Sequence, residues 1–367
     1  MKIPVCRPTI GENERRWILK ALEENRISST GGLVELFEER FAEKVGTKYC
    51  VAVNSGGSAL YLALVALGIG KGDEVIVPDF TMIACANAVT WTGAKPVFVD
   101  VECDTGNIDP NLIEKKITKR TKAIMAVHLY GHPCDMEKIL KIARKHKLYV
   151  IEDCAEAHGA VHLDLGKNVG EMGIVSCFSF YANKIITTGE GGAICTNRKD
   201  LAEDLRRLRG YYFSPRRHFD HKKIAMNLRM SSLEAAIGLG QLEKYELLID
   251  GRQMNAAYYT HELQDIPYIK CPVQKDYALS VYWMYWIKVG RWRDKLMKFL
   301  EENGIETRTG FFPMHWQKPY KEPYHRYPVS NKLGKETLYL PSATDLTAKE
   351  KDYVIKKIRE FFKLYAK

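Results

Sequence analysis

The amino-acid sequence predicts an α/β chain, a mostly parallel sheet with flanking helices followed by a smaller C-terminal α+β domain. Three observations predict it. Between residues 48 and 153, short β-branched runs alternate with longer helical patterns, the signature of repeated βα units. Two further strand-like runs, at 171–181 and 191–196, flank a glycine-containing loop. Beyond the long amphipathic stretch 231–266, the texture changes to isolated strands separated by charged helices. These features put a large domain at 1–248 and a small one at 249–367.

The strand candidates of the repeat, in order, are "YCVAVNS", "DEVIVP", "KPVFVD", "KAIMAVH" and "LYVIED". Each is short, apolar and β-branched, as a strand covered on both faces is. Between them, "GSALYLALVAL", "TMIACANAVTWTG", "DPNLIEKKI" and "DMEKILKIARKH" read as helices. Right-handed crossovers then give a sheet whose ligands bind at the carboxyl ends of the strands. "EMGIVSCFSFY" and "GGAICT" are the next two strands. The stretch 231–266 reads as one long helix or two consecutive ones. Its small residues Ala235, Ala236, Gly238 and Gly240 suit close packing, either between subunits or inside one. The small domain then offers "VYWMYWIKVG" as a strand, "WRDKLMKFLEENG" as a helix closed by Gly304, "IETRTG" as a strand and "TAKEKDYVIKKIREFFKLYA" as the last helix.

With 367 residues and 46% hydrophobic content, the chain can bury the core of two lobes. No apolar run reaches the roughly 20 residues that span a bilayer, and the first residues lack the apolar core of a signal peptide. We therefore expect a cytoplasmic protein with no membrane partner. Nine cysteines occur without a C-x-x-C pair, which points away from a disulfide framework and from a metal site. The net charge of +10 is spread widely, apart from basic clusters at 206–210 and 214–223. Neither cluster sits in a nucleic-acid-binding motif, so a phosphorylated ligand is the expected partner rather than nucleic acid. The loop 214–223 either meets a nucleotide diphosphate or is a solvated surface.

Lys184 lies in "FSFYANKIITTGEGG", residues 178–192, at a turn between two buried strands. Burial disfavours an ammonium group, and a neutral amine is a nucleophile that can form a Schiff base with an aldehyde. Taken alone, a lysine in a turn is more often a surface residue. Two other strand ends bear on the choice. In "VNSGGSAL", Gly56, Gly57 and Ser58 open a helix, where free amides and the positive helix end make an anion cradle or a simple N-cap. The spacing is neither that of a Walker A loop nor that of a dinucleotide fingerprint. In "LYVIEDCAEAHGA", Asp153 ends an apolar strand and needs a cationic partner. A protonated pyridine nitrogen would serve, and an N-cap or a metal carboxylate are the alternatives.

The order and spacing of these groups, together with "SSTGGLVELFEERFAEKVGTKYCVAVNSGGSALYLAL", "GDEVIVPDFTMIACANAV", "MNLRMSSLEAAIGLGQLE" and "FFPMHWQ", resemble the DegT/DnrJ/EryC1/StrS family of sugar aminotransferases over nearly the whole chain. The resemblance implies the fold-type I class of pyridoxal 5'-phosphate (PLP/PMP) enzymes. It implies that Lys184 holds the cofactor and shuttles the proton, and that Asp153 pairs with its ring nitrogen. Gly57 and Ser58 would cradle its phosphate, with Ser179 adding a hydroxyl. Met82 would cover the ring face, where an aromatic is usual, and Glu156 would stand near the phenolic oxygen, where glutamine or histidine is usual. Asn227 would reach the phosphate of a neighbouring subunit, which implies a homodimer with shared sites.

The same resemblance implies glutamate as amino donor and a nucleotide-linked ketosugar as acceptor. "GIETRTGFFPMHWQKPY" and "YANKIITTGEGG" resemble the branch that converts GDP-4-keto-6-deoxymannose to GDP-perosamine, although Thr309 stands where proline is common in that branch. Arg308, Phe312 and His315 are the candidates for the sugar site, against ordinary loop packing. A UDP- or dTDP-linked 4-ketosugar, or a 3-ketosugar, is the alternative substrate. Lys184 argues against the dehydratase branch, which carries histidine there. A non-catalytic PLP-binding regulator is the other class; such proteins carry an added DNA-binding domain, for which the stretch before residue 48 leaves no room.

Overall fold

Runs of valine, isoleucine and alanine, each too short for a helix and apolar on both faces, form the central sheet of the computed structural model, which describes residues 2–214 and 219–366. The expected ligand loop 214–223 therefore lies partly outside the described residues. Its strands are β1 (Tyr49–Val53), β2 (Glu74–Pro78), β3 (Lys95–Val99), β4 (Thr121–Val127) and β5 (Tyr149–Asp153). Two short strands, β6 (Val161–His162) and β7 (Lys167–Asn168), leave the sheet before β8 (Val175–Ser179) and β9 (Gly192–Thr196) return to it. The order is β1-β9-β8-β5-β4-β2-β3. β9 runs antiparallel to both neighbours, and the remaining pairs are parallel.

Alternate residues of the strands go to opposite faces. Val75 and Val77 enter the layer under α3 (Gly56–Ala66), α4 (Ala84–Trp91) and α7 (Lys199–Leu208), whereas Ile76 joins the layer under α5 (Pro110–Ile113) and α6 (Met136–His146). At the other end of that second face, α1 (Glu12–Glu23), α2 (Leu33–Val45) and α8 (Ser232–Leu242) pack around Phe37, Phe41, Phe178 and Phe180. The small residues of α8 are used inside the subunit. A Cβ on Gly240 would lie 2.6 Å from the Glu14 backbone nitrogen, and one on Gly238 would lie 2.5 Å from the Phe37 ring.

The amphipathic stretch resolves into two helices, α8 and α9 (Tyr245–Leu263). The expected boundary at 248 falls inside α9, which runs into the second core and contributes Tyr259 and Leu263 to it. β10 (Ala278–Leu279) pairs with β6. The small sheet is β11 (Trp286–Lys288), β12 (Arg308–Thr309) and β13 (Thr337–Tyr339), with β13 in the middle and both pairings antiparallel. α10 (Arg293–Glu302) and α12 (Ala348–Tyr365) cover it, and α11 (Pro328–Glu336) leads into β13.

β11 is shorter than the run "VYWMYWIKVG" suggests. Tyr282 takes a left-handed φ of 47°, and Trp283 turns to donate from Nε1 to the Asn183 carbonyl, 2.7 Å away. The first residues also cross over, since Ile3 bridges to Ile305 and packs in the small domain's core. Buried Arg252 of α9 ties the lobes by donating to the carbonyls of Trp283 and Ser342. Among the described residues no helix is long and apolar enough to cross a membrane.

Candidate active site

The carboxyl ends of β1, β4, β5 and β8 open on one cavity of about 370 Å³, closed on the far side by Trp283, Phe311 and Tyr339 of the small domain. Lys184 reaches it from the turn after β8. The neighbouring Ile185 and Ile186 are buried, and the Thr187 hydroxyl donates to the Phe180 carbonyl at 2.9 Å, so the turn is anchored beneath the lysine. Its glycines are required by close approach. A Cβ on Gly192 would meet the Ser55 carbonyl at 2.5 Å, and Gly191 has a φ of 140°.

The Lys184 Nζ lies 3.7 Å from Glu156 Oε1 and 3.9 Å from the centroid of the Trp283 ring, with the side chain 12% exposed. Burial pushes the ammonium below the usual lysine range, opposed by the charges of Glu156 and Asp153. Glu156 is affected in the opposite direction. Burial lifts its carboxyl from 4.5 to about 7, while Lys184 and the Tyr130 amide hold it down. That amide donates to Glu156 Oε2 at 2.8 Å, and Tyr130 adopts a left-handed φ of 53°. Such a conformation is costly for a bulky side chain.

Asp153, 5% exposed, ends β5. Its Oδ1 accepts from the Ala155 amide at 3.0 Å and its Oδ2 from the Cys85 thiol at 3.1 Å. Opposite them, α3 points its N-terminus at the cavity. Ser55 caps the helix by accepting from the Ser58 amide at 3.1 Å, and the Ser58 hydroxyl donates to Asn54 at 2.7 Å. Gly56 lets the helix end approach Ser179, where a Cβ would lie 2.7 Å from the serine Cβ. A Cβ on Gly57 would meet nothing nearer than Ser55 Oγ at 3.9 Å, so space is open above that amide.

Residues 8–359 match the DegT/DnrJ/EryC1/StrS aminotransferase family. The chain belongs to this family. It is 41% identical over 362 residues, 98% of each chain, to the GDP-perosamine synthase of Escherichia coli O157:H7. It is 44% identical over 360 residues, 96% of each chain, to the GDP-perosamine synthase of Caulobacter vibrioides. The fold superposes with a TM-score of 0.94, at 26% identity and over 99% of each chain, on the PLP form of Spr1654 from Streptococcus pneumoniae.

This aminotransferase gathers Gly57, Met82, Asp153, Glu156, Ser179, Lys184 and Arg308 at the cavity wall. The cavity wall does not include Ser58, Phe312, His315 or Asn227. The Ser58 hydroxyl is engaged by Asn54 and by the Ser55 hydroxyl. Phe312, next to Phe311, points outward and is 55% exposed, as alternation along an extended segment requires; Phe311 instead stacks on Tyr130 at 5.4 Å. His315 is a latch. Its Nδ1 is 2.7 Å from Asp79 Oδ2, and its Nε2 is 2.9 Å from Asn331 Oδ1, an acceptor because the amide's nitrogen donates to Tyr324. Both ring nitrogens therefore donate. Burial opposes that charge, but Asp79 carries the ring above its ordinary value. Asn227 is exposed and bridges to Gly210.

Trp283 lines the cavity, and Tyr130 and Cys85 stand behind its wall on Glu156 and Asp153; nothing in their local sequence pattern marks any of the three. Among the described residues, His128, Glu152 and Cys154 form a possible metal-ligand grouping. It is already satisfied: Glu152 accepts amides from Gly170, Met172 and Gly173 and lies 3.1 Å from His128.

The raised pKa of Glu156 couples its proton to folding. Between pH 4.5 and about 7, the folded chain keeps a proton that the unfolded chain has released, so this group's contribution to stability falls as pH rises through that window. Urea unfolding of the cofactor-free protein across the window should show a flatter pH slope in Glu156→Gln than in the wild type. An equal slope would place the proton elsewhere.

Proposed function

We propose that the chain binds pyridoxal 5'-phosphate at Lys184 and uses it to move the amino group of glutamate onto C4 of a nucleotide-linked 4-keto-6-deoxy sugar. We take that sugar to be GDP-4-keto-6-deoxymannose, which would give GDP-perosamine. The observation that carries this reading is the placement of a desolvated amine, a carboxylate and an open helix N-terminus around one cavity. The donor set fits the cofactor. Asp153 offers the anionic acceptor that a protonated ring nitrogen needs, and the space above Gly57 suits a dianionic phosphate beside helix amides. Full-length likeness to two GDP-perosamine synthases supports the choice of sugar and carrier.

When bound, the cofactor supplies an electron-accepting ring and a carbon that carries the amino group between donor and acceptor. The chain's own groups then have separate tasks. Lys184 would take and return a proton at Nζ, which burial eases by lowering the proton affinity of the amine. Asp153 keeps the ring nitrogen protonated. Glu156, with a midpoint near 7, can share a proton with Lys184. Met82 would pack against the ring as a polarisable thioether, and Ser179 would support the phosphate. Trp283 and Phe311 exclude water from the sugar side, where Arg308 offers a cation at the mouth.

Asn227 is exposed in its own subunit and absent from its own cavity wall. We assign it to the phosphate site of a partner copy, which makes the homodimer the active unit.

Purified protein incubated with glutamate and GDP-, UDP- or dTDP-linked 4-ketosugars should aminate the GDP-linked sugar fastest by mass spectrometry. Borohydride should fix the cofactor on Lys184 in a peptide map. An adduct on another lysine, or preference for a UDP or dTDP sugar, would overturn the corresponding part of the reading.

Mixing Lys184→Ala with Asn227→Asp, each inactive, under subunit exchange should restore up to about half the activity per mixed dimer. The carboxylate disables the second parent by repelling the phosphate. Exchange without recovery would mean that both residues serve the same subunit's site.

A further inference from the structure

We propose that Cys85 is a positioning residue for Asp153, its thiol proton holding one carboxylate oxygen so that the group stays aimed into the cavity. The proposal rests on the role given to Asp153 above. Cys85 is the second residue of α4 and has no exposed surface. Its Sγ lies 3.1 Å from Asp153 Oδ2 and 3.8 Å from the Thr81 hydroxyl. Burial, and then the charge of Asp153, push the thiol well above its ordinary value, so it stays protonated. A protonated sulfur beside a carboxylate acts as the donor.

Asp153 thus has one donor on each oxygen before any ligand arrives, the thiol on Oδ2 and the Ala155 amide on Oδ1. The two come from different elements, α4 and the turn after β5, and together they fix the plane of the carboxylate. Thr81 and Met82, just before α4, line the same cavity, so the thiol also ties this wall to the end of β5. Apolar packing alone would account for the burial of Cys85. It would not account for a sulfur placed on the carboxylate rather than on the neighbouring aliphatic side chains.

Sulfur is a weak donor, so the effect is modest and needs a readout that packing does not move. In the holoenzyme, Cys85→Ala should raise the pH midpoint of the bound cofactor's visible absorption by about half a unit to one unit. A less positive ring leaves the lysine nitrogen more basic. The turnover number should fall about three- to tenfold, with KM for the sugar nucleotide unchanged. Cys85→Ser, which restores a donor, should return both values to near wild type. In the cofactor-free protein, the infrared S–H band that disappears in either variant should move to higher frequency in Asp153→Asn, where the acceptor loses its charge. If Cys85→Ala leaves the absorption midpoint in place, if serine and alanine behave alike, or if the S–H band ignores Asp153→Asn, Cys85 only fills space and the proposal fails.

Discussion

An amine that must lose its proton near neutral pH has to be taken out of water, and the surroundings of Lys184 serve that constraint. Desolvation lowers its proton affinity, but an unpaired charge in a dry cavity would be expensive whenever the amine is protonated. Glu156 at 3.7 Å and the face of Trp283 at 3.9 Å moderate that cost. Neither contact is a tight bidentate pair, which would hold the ammonium in its charged form. The same burial lifts Glu156 to about 7, so desolvation moves the two groups' proton affinities toward each other.

This arrangement depends on backbone approaching backbone. Gly192 lies against Ser55 and Gly56 lies against Ser179, bringing the start of β9, the start of α3 and the end of β8 together around the cavity. The small domain then closes the space from the other side. His315 and Asp79 form a buried hydrogen-bonded latch between the loop after β12 and the end of β2. Arg252 and the N-terminal residues supply two more ties. Because Trp283 touches Lys184 while its indole donates to the neighbouring carbonyl, the lysine environment is completed only when both lobes are in place.

The βα repeat was legible because each strand is a short, fully apolar run ending at a polar residue, and the polar residues at those ends, Asp153 and Ser55 to Ser58, line or frame the cavity. The turn that carries Lys184 was legible from the two buried strands that flank it, although a lysine in a turn is by itself more often a surface residue. Other features were not. Phe311 and Phe312 are chemically alike, and only the pleat of the segment decides which faces the cavity. His315 could be a ligand group or a structural one, and Asp79 and Asn331, far from it in sequence, decide it. Trp283 and Cys85 reach the site through a left-handed turn at Tyr282 and through the register of α4, neither of which leaves a mark in local composition. The small residues of α8 were compatible with packing inside or between subunits, and their fit against Glu14 and Phe37 shows them used within one.

The account turns on the protonation of a single nitrogen. Direct titration of Lys184 by NMR in cofactor-free protein carrying labelled lysine, assigned by comparison with Lys184→Ala, tests it without any substrate or turnover. The account predicts a midpoint clearly below the ordinary lysine value of 10.5, and a further fall in Glu156→Gln, which removes the charge that favours the ammonium. A midpoint at or above the ordinary value would show that Glu156 and Asp153 outweigh burial, and the desolvated amine would no longer explain the site.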